Sequence, residues 1–110
     1  MFYKLYISKA KPGEKPSDSE MERVFKEFQT IYKMYGVKVI GAWENVDDSL
    51  EQYLITAYND VAHYEEAIAK MRTNKRYQEL TEARQPSVES VKVKTLKTLP
   101  GSPIEYATNP

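Results

Sequence analysis

His63 is the only histidine in a chain without cysteine, so the side chains that most often carry proton transfer, metal ligation and thiolate chemistry reduce to one imidazole. It follows Asn59 and Asp60, either of which suits a helix N-cap, and so falls in the first turn of a helix. Unpaired amides and the positive end of the helix dipole disfavour an imidazolium there. A neutral ring in that place can act as a general base, which makes His63 the candidate catalytic residue, while a capping or surface role explains it without any chemistry. Metal and haem sites normally take more than one good ligand, and no second histidine or cysteine exists, so neither a metal nor a cofactor is expected.

Aromatic side chains form the second group. Tyr6, Trp43, Tyr53, Tyr58 and Tyr64 could converge on one region, and amphipathic rings of this kind stack on planar ligands and offer hydroxyls to orient them. Tyr6, Trp43, Tyr58 and Tyr64 are the candidates for ligand binding; core or interface packing accounts for the same rings. Glu44, Asp47, Asp48 and Glu51 gather near a turn. Paired carboxylates divide acid and base roles, or bind a hard cation, when burial separates their proton affinities, whereas in an exposed turn they stay ionised and solvate it. Arg72, Lys75 and Arg76 make a small basic cluster able to hold a carboxylate or phosphate, although helix C-termini favour cations anyway. The glycines at 13, 36, 41 and 101 are scattered, so no phosphate-cradling loop is present.

These groups must be positioned by strands and helices whose signals are clear. Residues 2–9 alternate Tyr3, Leu5 and Ile7 with Lys4, Tyr6 and Ser8, the period of a strand, and Lys11-Pro12-Gly13 stops it. Ser17 with Glu20 fits a capping box, and Met21, Val24, Phe25, Phe28, Ile31, Tyr32 and Tyr35 make one apolar helical stripe that Gly36 can end. Residues 37–44 and 52–58 read as a hairpin about the acidic turn at residues 45–49. A second helix carries Val61, Tyr64, Ala67, Ile68 and Met71; Asn74 interrupts it, and residues 75–84 add a further turn or two. Residues 88–99 form the last strand, with Lys92 and Lys94 set against Val91 and Val93. The expected fold class is α+β: a ferredoxin-like βαββαβ domain over residues 1–99, with a four-stranded antiparallel sheet and two helices on one face. An extended tail over residues 100–110 follows it.

Two helices cover one face of such a sheet, yet the hairpin strands are apolar on both. Leu54 and Tyr58 oppose Tyr53, Ile55 and Ala57; Val37, Val39 and Trp43 oppose Ile40 and Ala42. A solvated face would show polar alternation, so the second face calls for a cover that this chain does not supply. Another copy of the chain is the simplest one, giving a homodimer that closes as an α+β barrel.

Gly36-Val37-Lys38-Val39-Ile40-Gly41-Ala42-Trp43, then Tyr53-x-Ile55-x-Ala57-Tyr58-x-Asp60-x-x-x-Tyr64-Glu65-x-Ala67, then Asn74-x-x-Tyr77, resembles the NIPSNAP family of dimeric α+β barrels. Lys11-Pro12-Gly13 and Leu99-Pro100-x-Ser102-Pro103 look like signatures of the same family at the two ends of the domain. The resemblance implies a ferredoxin-like protomer and a homodimer, and relatives in the wider superfamily that include cofactor-independent monooxygenases, haem-degrading enzymes and small isomerases. Their pockets lie between helices and sheet. The first strand departs from the family pattern, with Tyr6 where an arginine is common and Ser8 where a tyrosine is common.

Composition narrows the partners. Sixteen basic and sixteen acidic residues cancel along the chain, so no long-range field draws it to nucleic acid or to an anionic membrane. The N-terminus carries neither a cleavable signal nor a spanning segment, and the expected location is cytoplasmic. The functional expectation is a homodimer that binds a small apolar or aromatic molecule between sheet and helices. The alternatives are a cofactor-independent monooxygenase or isomerase, and a non-enzymatic protein-interaction scaffold.

Overall fold

The alternating N-terminal segment forms β1 (Phe2–Ala10), and the Pro- and Gly-containing loop after it leads to Ser17. The Ser17 hydroxyl accepts the Glu20 amide at 3.3 Å and opens α1 (Asp18–Met34). Only this half of the expected box forms, because the Glu20 carboxylate turns to Arg23 at 3.8 Å. Gly36 ends the helix at φ 71°, with its amide on the Lys33 carbonyl and the Val37 amide on the Tyr32 carbonyl, the two bonds of a Schellman motif. The chain then enters the hairpin β2 (Lys38–Asn45) and β3 (Asp48–Tyr58). Its tip is tighter than the sequence suggested: Asn45 pairs with Asp48, and the Asn45 side chain accepts the Asp47 amide at 2.9 Å.

Asp60 caps α2 (Val61–Arg72) by accepting the His63 amide at 2.7 Å. The interruption expected at Asn74 is present, and the segment after it is a full helix rather than a further turn or two. Asn74 accepts the Tyr77 amide at 2.9 Å and starts α3 (Lys75–Arg84) as a separately capped helix, because an Asn side chain there competes with the continuing helical bond. One 3-10 turn, Gln85–Ser87, leads into β4 (Val88–Lys97). The computed structural model describes residues 1–103, so the tail expected over residues 100–110 lies outside the described residues beyond its first few positions.

The four strands pair antiparallel in the order β2-β3-β1-β4, the ferredoxin-like α+β arrangement. Helices cover one face, where Phe2, Val39, Leu54 and Tyr58 pack against a core that holds Ile31, Tyr32, Ala67, Met71 and Leu80. Register assigns the other face to three rows: Trp43, Tyr53, Ile7 and Lys92; Gly41, Ile55, Leu5 and Lys94; Lys38, Ala57, Tyr3 and Leu96. Val39 and Trp43, expected on one face, lie on opposite faces. An irregularity at Ile40 lets Val39 pair with Thr56 and Gly41 with Ile55, and one extra residue reverses every later side chain of β2.

Gly36 and Gly13 both have positive φ, but only Gly36 has a neighbour: a Cβ there would lie 3.3 Å from His63 Nε2, while at Gly13 it would meet nothing within 4 Å. Gly13→Ala is expected to cost about 1 kcal/mol from left-handed strain alone. Gly36→Ala is expected to cost measurably more in urea denaturation, because the His63 ring must also shift; equal losses would contradict this packing.

Candidate ligand-binding cleft

Two aromatic groups fill the helix side of the sheet. Phe2, Tyr58 and Tyr64 meet under α2, with Tyr58 and Tyr64 edge to face at 4.9 Å and the Lys4 ammonium 4.4 Å from the Tyr64 ring centre. Phe28 joins Tyr32 and Tyr77 between α1 and α3. Beside the second group opens a cleft of about 880 Å3, within the usual range of small-molecule sites. Leu54, Tyr6 and Ser8 form its floor, Val24 and Phe28 one wall, and Tyr77, Leu80 and Arg84 the other. It exists because the helices leave β4 bare. Val91 and Val93 point to the helix side by register, yet each is more than half exposed.

Tyr6 carries the polar centre of the floor. Its hydroxyl lies against that of Tyr58, which accepts from Thr56 at 3.1 Å, so a line of hydroxyls runs from the fully buried Thr56 to the cleft. Burial, reinforced by the neighbouring phenols, holds the Tyr6 hydroxyl far above the ordinary phenol range; burial and Tyr77 do the same to Tyr32. Both are neutral donors at physiological pH, and neither supplies a phenolate base. Two residues along β1, Ser8 is buried and its hydroxyl accepts from Arg84 Nη2 at 3.0 Å.

The other candidates go elsewhere. His63 is outside the cleft: its Nδ1 accepts the Asn59 amide at 3.1 Å, and its Nε2 meets the Tyr35 carbonyl at 3.1 Å, which assigns the ring proton to Nε2. Nε2 thus ties α2 to the end of α1, and Nδ1 is spent on the backbone that enters α2. Tyr58 and Tyr64 are packed under α2 rather than in the cleft wall. Trp43 borders the cleft at the sheet edge, but its ring lies over Gly41, where a Cβ would come within 2.8 Å of it, on the helix-free face.

The hairpin carboxylates are dispersed. Glu44 pairs with Lys15 and Asp48 with Lys9 at 3.2 Å, while Glu51 accepts from Tyr53 and Asn45. The Leu50 amide and Lys9 hold Asp48 below the usual carboxylate range, and Tyr53 and Asn45 do so for Glu51, so these groups are ionised acceptors. Arg76 is taken by Glu27 and Glu79. Among the described residues no group of acidic or histidine side chains is arranged to hold a metal ion, and no helix is long and apolar enough to cross a membrane. Sequence reading missed Arg84 and Ser8. Spacing carried no signal for a bond between residues 76 positions apart.

The NIPSNAP family model matches residues 9–103. The chain belongs to the NIPSNAP family. A NIPSNAP family protein of unknown function from Agrobacterium tumefaciens superposes with a TM-score of 0.80 at 21% identity, covering 94% of this chain and 92% of that one. An uncharacterised NIPSNAP domain protein from Burkholderia xenovorans gives 0.78 at 17% identity, over 94% and 99% of the two chains. A Deinococcus radiodurans protein provisionally named an antibiotic biosynthesis monooxygenase shares the fold at a TM-score of 0.65 and 8% identity, over 93% and 96%. No curated protein matches the sequence. The cleft is thus described in a NIPSNAP domain whose solved relatives share its fold.

Because folding holds the Tyr6 and Tyr32 protons, these groups favour the native state while phenols are neutral and oppose it once unfolded tyrosine ionises, near pH 10. Stability should fall as pH rises above that value. Tyr6→Phe is expected to move alkaline unfolding to higher pH relative to its neutral stability; an unchanged alkaline midpoint would contradict a buried Tyr6 hydroxyl.

Proposed function

We propose that this NIPSNAP protein is a homodimer that binds a small apolar or aromatic molecule in the cleft between the sheet and helices α1 and α3. The observation that carries the reading is the cleft itself: Val24, Phe28, Leu54 and Leu80 give it apolar walls, Tyr6, Ser8 and Arg84 lie together among its polar groups, and charged side chains such as Lys9, Glu22 and Arg76 form a polar rim. Ligand contact at Tyr6 follows directly. Tyr58 acts through the Tyr6 hydroxyl, Tyr64 by packing Tyr58, and Trp43 by covering the sheet edge. In this reading residues 1–99 are the working domain, and the protein acts in the cytoplasm, where a chain without cysteine loses no stability to reduction.

The dimer is supported by the helix-free face. Leu5, Ile7, Tyr53 and Ile55 lie across its centre, Trp43 is half exposed at one end, and Lys92 and Lys94 mark the β4 margin. Apolar area of this kind is what closed two-fold interfaces bury, and the charged margin sets its limit.

A catalytic reading, as a cofactor-independent monooxygenase or isomerase, is favoured by the fold likeness to the Deinococcus protein. The engagement of both His63 nitrogens by backbone and the neutral phenols weigh against proton abstraction by these residues. Binding without turnover is therefore the preferred reading.

Light scattering is expected to give twice the chain mass, and Ile55→Glu, which sets a charge at the centre of the helix-free face, to give a folded monomer. A wild-type monomer at micromolar concentration would overturn the dimer. Fluorescence titration with neutral 2-naphthol is expected to saturate, and Val91→Trp, which narrows the cleft from its exposed β4 side, to weaken it at least severalfold. Equal binding by that variant would remove the cleft as the site.

A further inference from the structure

Arg84 differs from the other cations around the cleft. Arg23 is matched by Glu20 and Glu27, Arg76 by Glu27 and Glu79, and Lys9 by Asp48. Arg84 forms no ion pair with any described carboxylate. Among the described residues its side-chain bond is to Ser8, a residue more than nine-tenths buried in the cleft floor. Arg84 is exposed to solvent, and a guanidinium carries five donors in a planar fork, so one bond to a neutral hydroxyl leaves most of its capacity to water and free to be taken by an anion.

The surroundings point the same way. Arg84 is in the last turn of α3, where the carbonyl end of the helix favours the cation and steadies it without neutralising it. Ser8 accepts from Arg84 and so keeps its own proton to donate. Most carboxylates on the cleft rim are committed: Glu20 to Arg23, Glu22 to Lys26, Glu44 to Lys15 and Glu79 to Arg76. Glu14 lines the rim without an ion pair and is exposed to solvent. Apolar side chains of Phe28, Leu54, Leu80 and Val91 share the cleft with this charged corner.

We propose that the ligand of the cleft is a small carboxylic acid with an apolar or aromatic body, its carboxylate taken by Arg84 and Ser8. The proposal rests on the reading of the cleft as a ligand site and names the chemical class of that ligand. Arg84 supplies a bidentate, charge-assisted contact, the Ser8 hydroxyl donates to one carboxylate oxygen, and the ring or chain lies against Phe28, Leu54 and Leu80. Discrimination against the neutral counterpart follows, because an ester leaves the guanidinium without a counter-charge.

Titration calorimetry with 2-naphthoate and methyl 2-naphthoate tests this on the intact chain. The acid is expected to bind wild type about tenfold or more tighter than the ester, the range of a charge-assisted pair. Arg84→Gln should abolish the difference and keep ester binding, Arg84→Lys should restore part of it, and Ser8→Ala should weaken the acid alone. Equal affinity of acid and ester for wild type, or a preference that survives Arg84→Gln, would overturn the proposal while leaving the cleft reading intact. Binding of neither compound, with no binding of 2-naphthol, would sink both. If Arg84→Gln does not fold, the wild-type comparison together with Ser8→Ala decides the matter.

Discussion

The structure depends on one constraint: its two central strands are apolar on both sides, and the chain has helices for only one of them. β1 sends Phe2 and Tyr6 toward the helices and Leu5 and Ile7 away; β3 sends Leu54 and Tyr58 one way and Tyr53 and Ile55 the other. A strand that is buried on both faces loses its polar alternation, and β1 and β3 are the inner pair of the sheet. From this follow the position of the core and a second face that is buried within the chain at Tyr3 and Ala57 but only partly covered at Leu5, Ile7, Tyr53 and Ile55, the part that the proposed two-fold assembly would close.

The cleft is the second consequence. α1 and α2 pack over β2 and β3, and the break at Asn74 sends the chain into α3, which runs back toward the 3-10 turn before β4. Between α3 and the bare side of β4 the sheet floor stays open, with Tyr6 and Ser8 at its base. The Asn74 cap starts α3 afresh, and Arg84 in the last turn of α3 reaches Ser8 at 3.0 Å. A cation on the separately capped helix therefore sits over a buried hydroxyl of β1.

How far the sequence could be read depended on the distance over which each feature is encoded. Local signals were legible: the Ser17 and Asp60 caps, the Gly36 stop, the order of elements and the strand alternation all depend on neighbours within a few residues. The family resemblance spanned the domain because it was built from those same segments. The bulge at Ile40 was not legible, since Val-Ile-Gly-Ala-Trp alternates acceptably in either register and only pairing with Thr56 and Ile55 decides it. His63 was placed correctly in its helix, but its bond to the Tyr35 carbonyl joins residues 28 apart and carries no local mark. Arg84 looked like one more cation at a helix end. Its partner Ser8, at the start of the chain, becomes visible only when β1 and α3 are set side by side.

Burial of the helix-free face by a second copy, as proposed, can be probed through the absence of cysteine from the chain. With no native cysteine, Ile55→Cys would carry the sole thiol, in the middle of that face, and Val46→Cys would carry one at the hairpin tip, where Val46 is 98% exposed. Val46→Cys is expected to react at once with a thiol reagent, while Ile55→Cys is shielded in native solution and becomes reactive on dilution below the dimer range or in denaturant. An Ile55→Cys thiol that reacts as fast as the hairpin-tip thiol in concentrated native protein would contradict it.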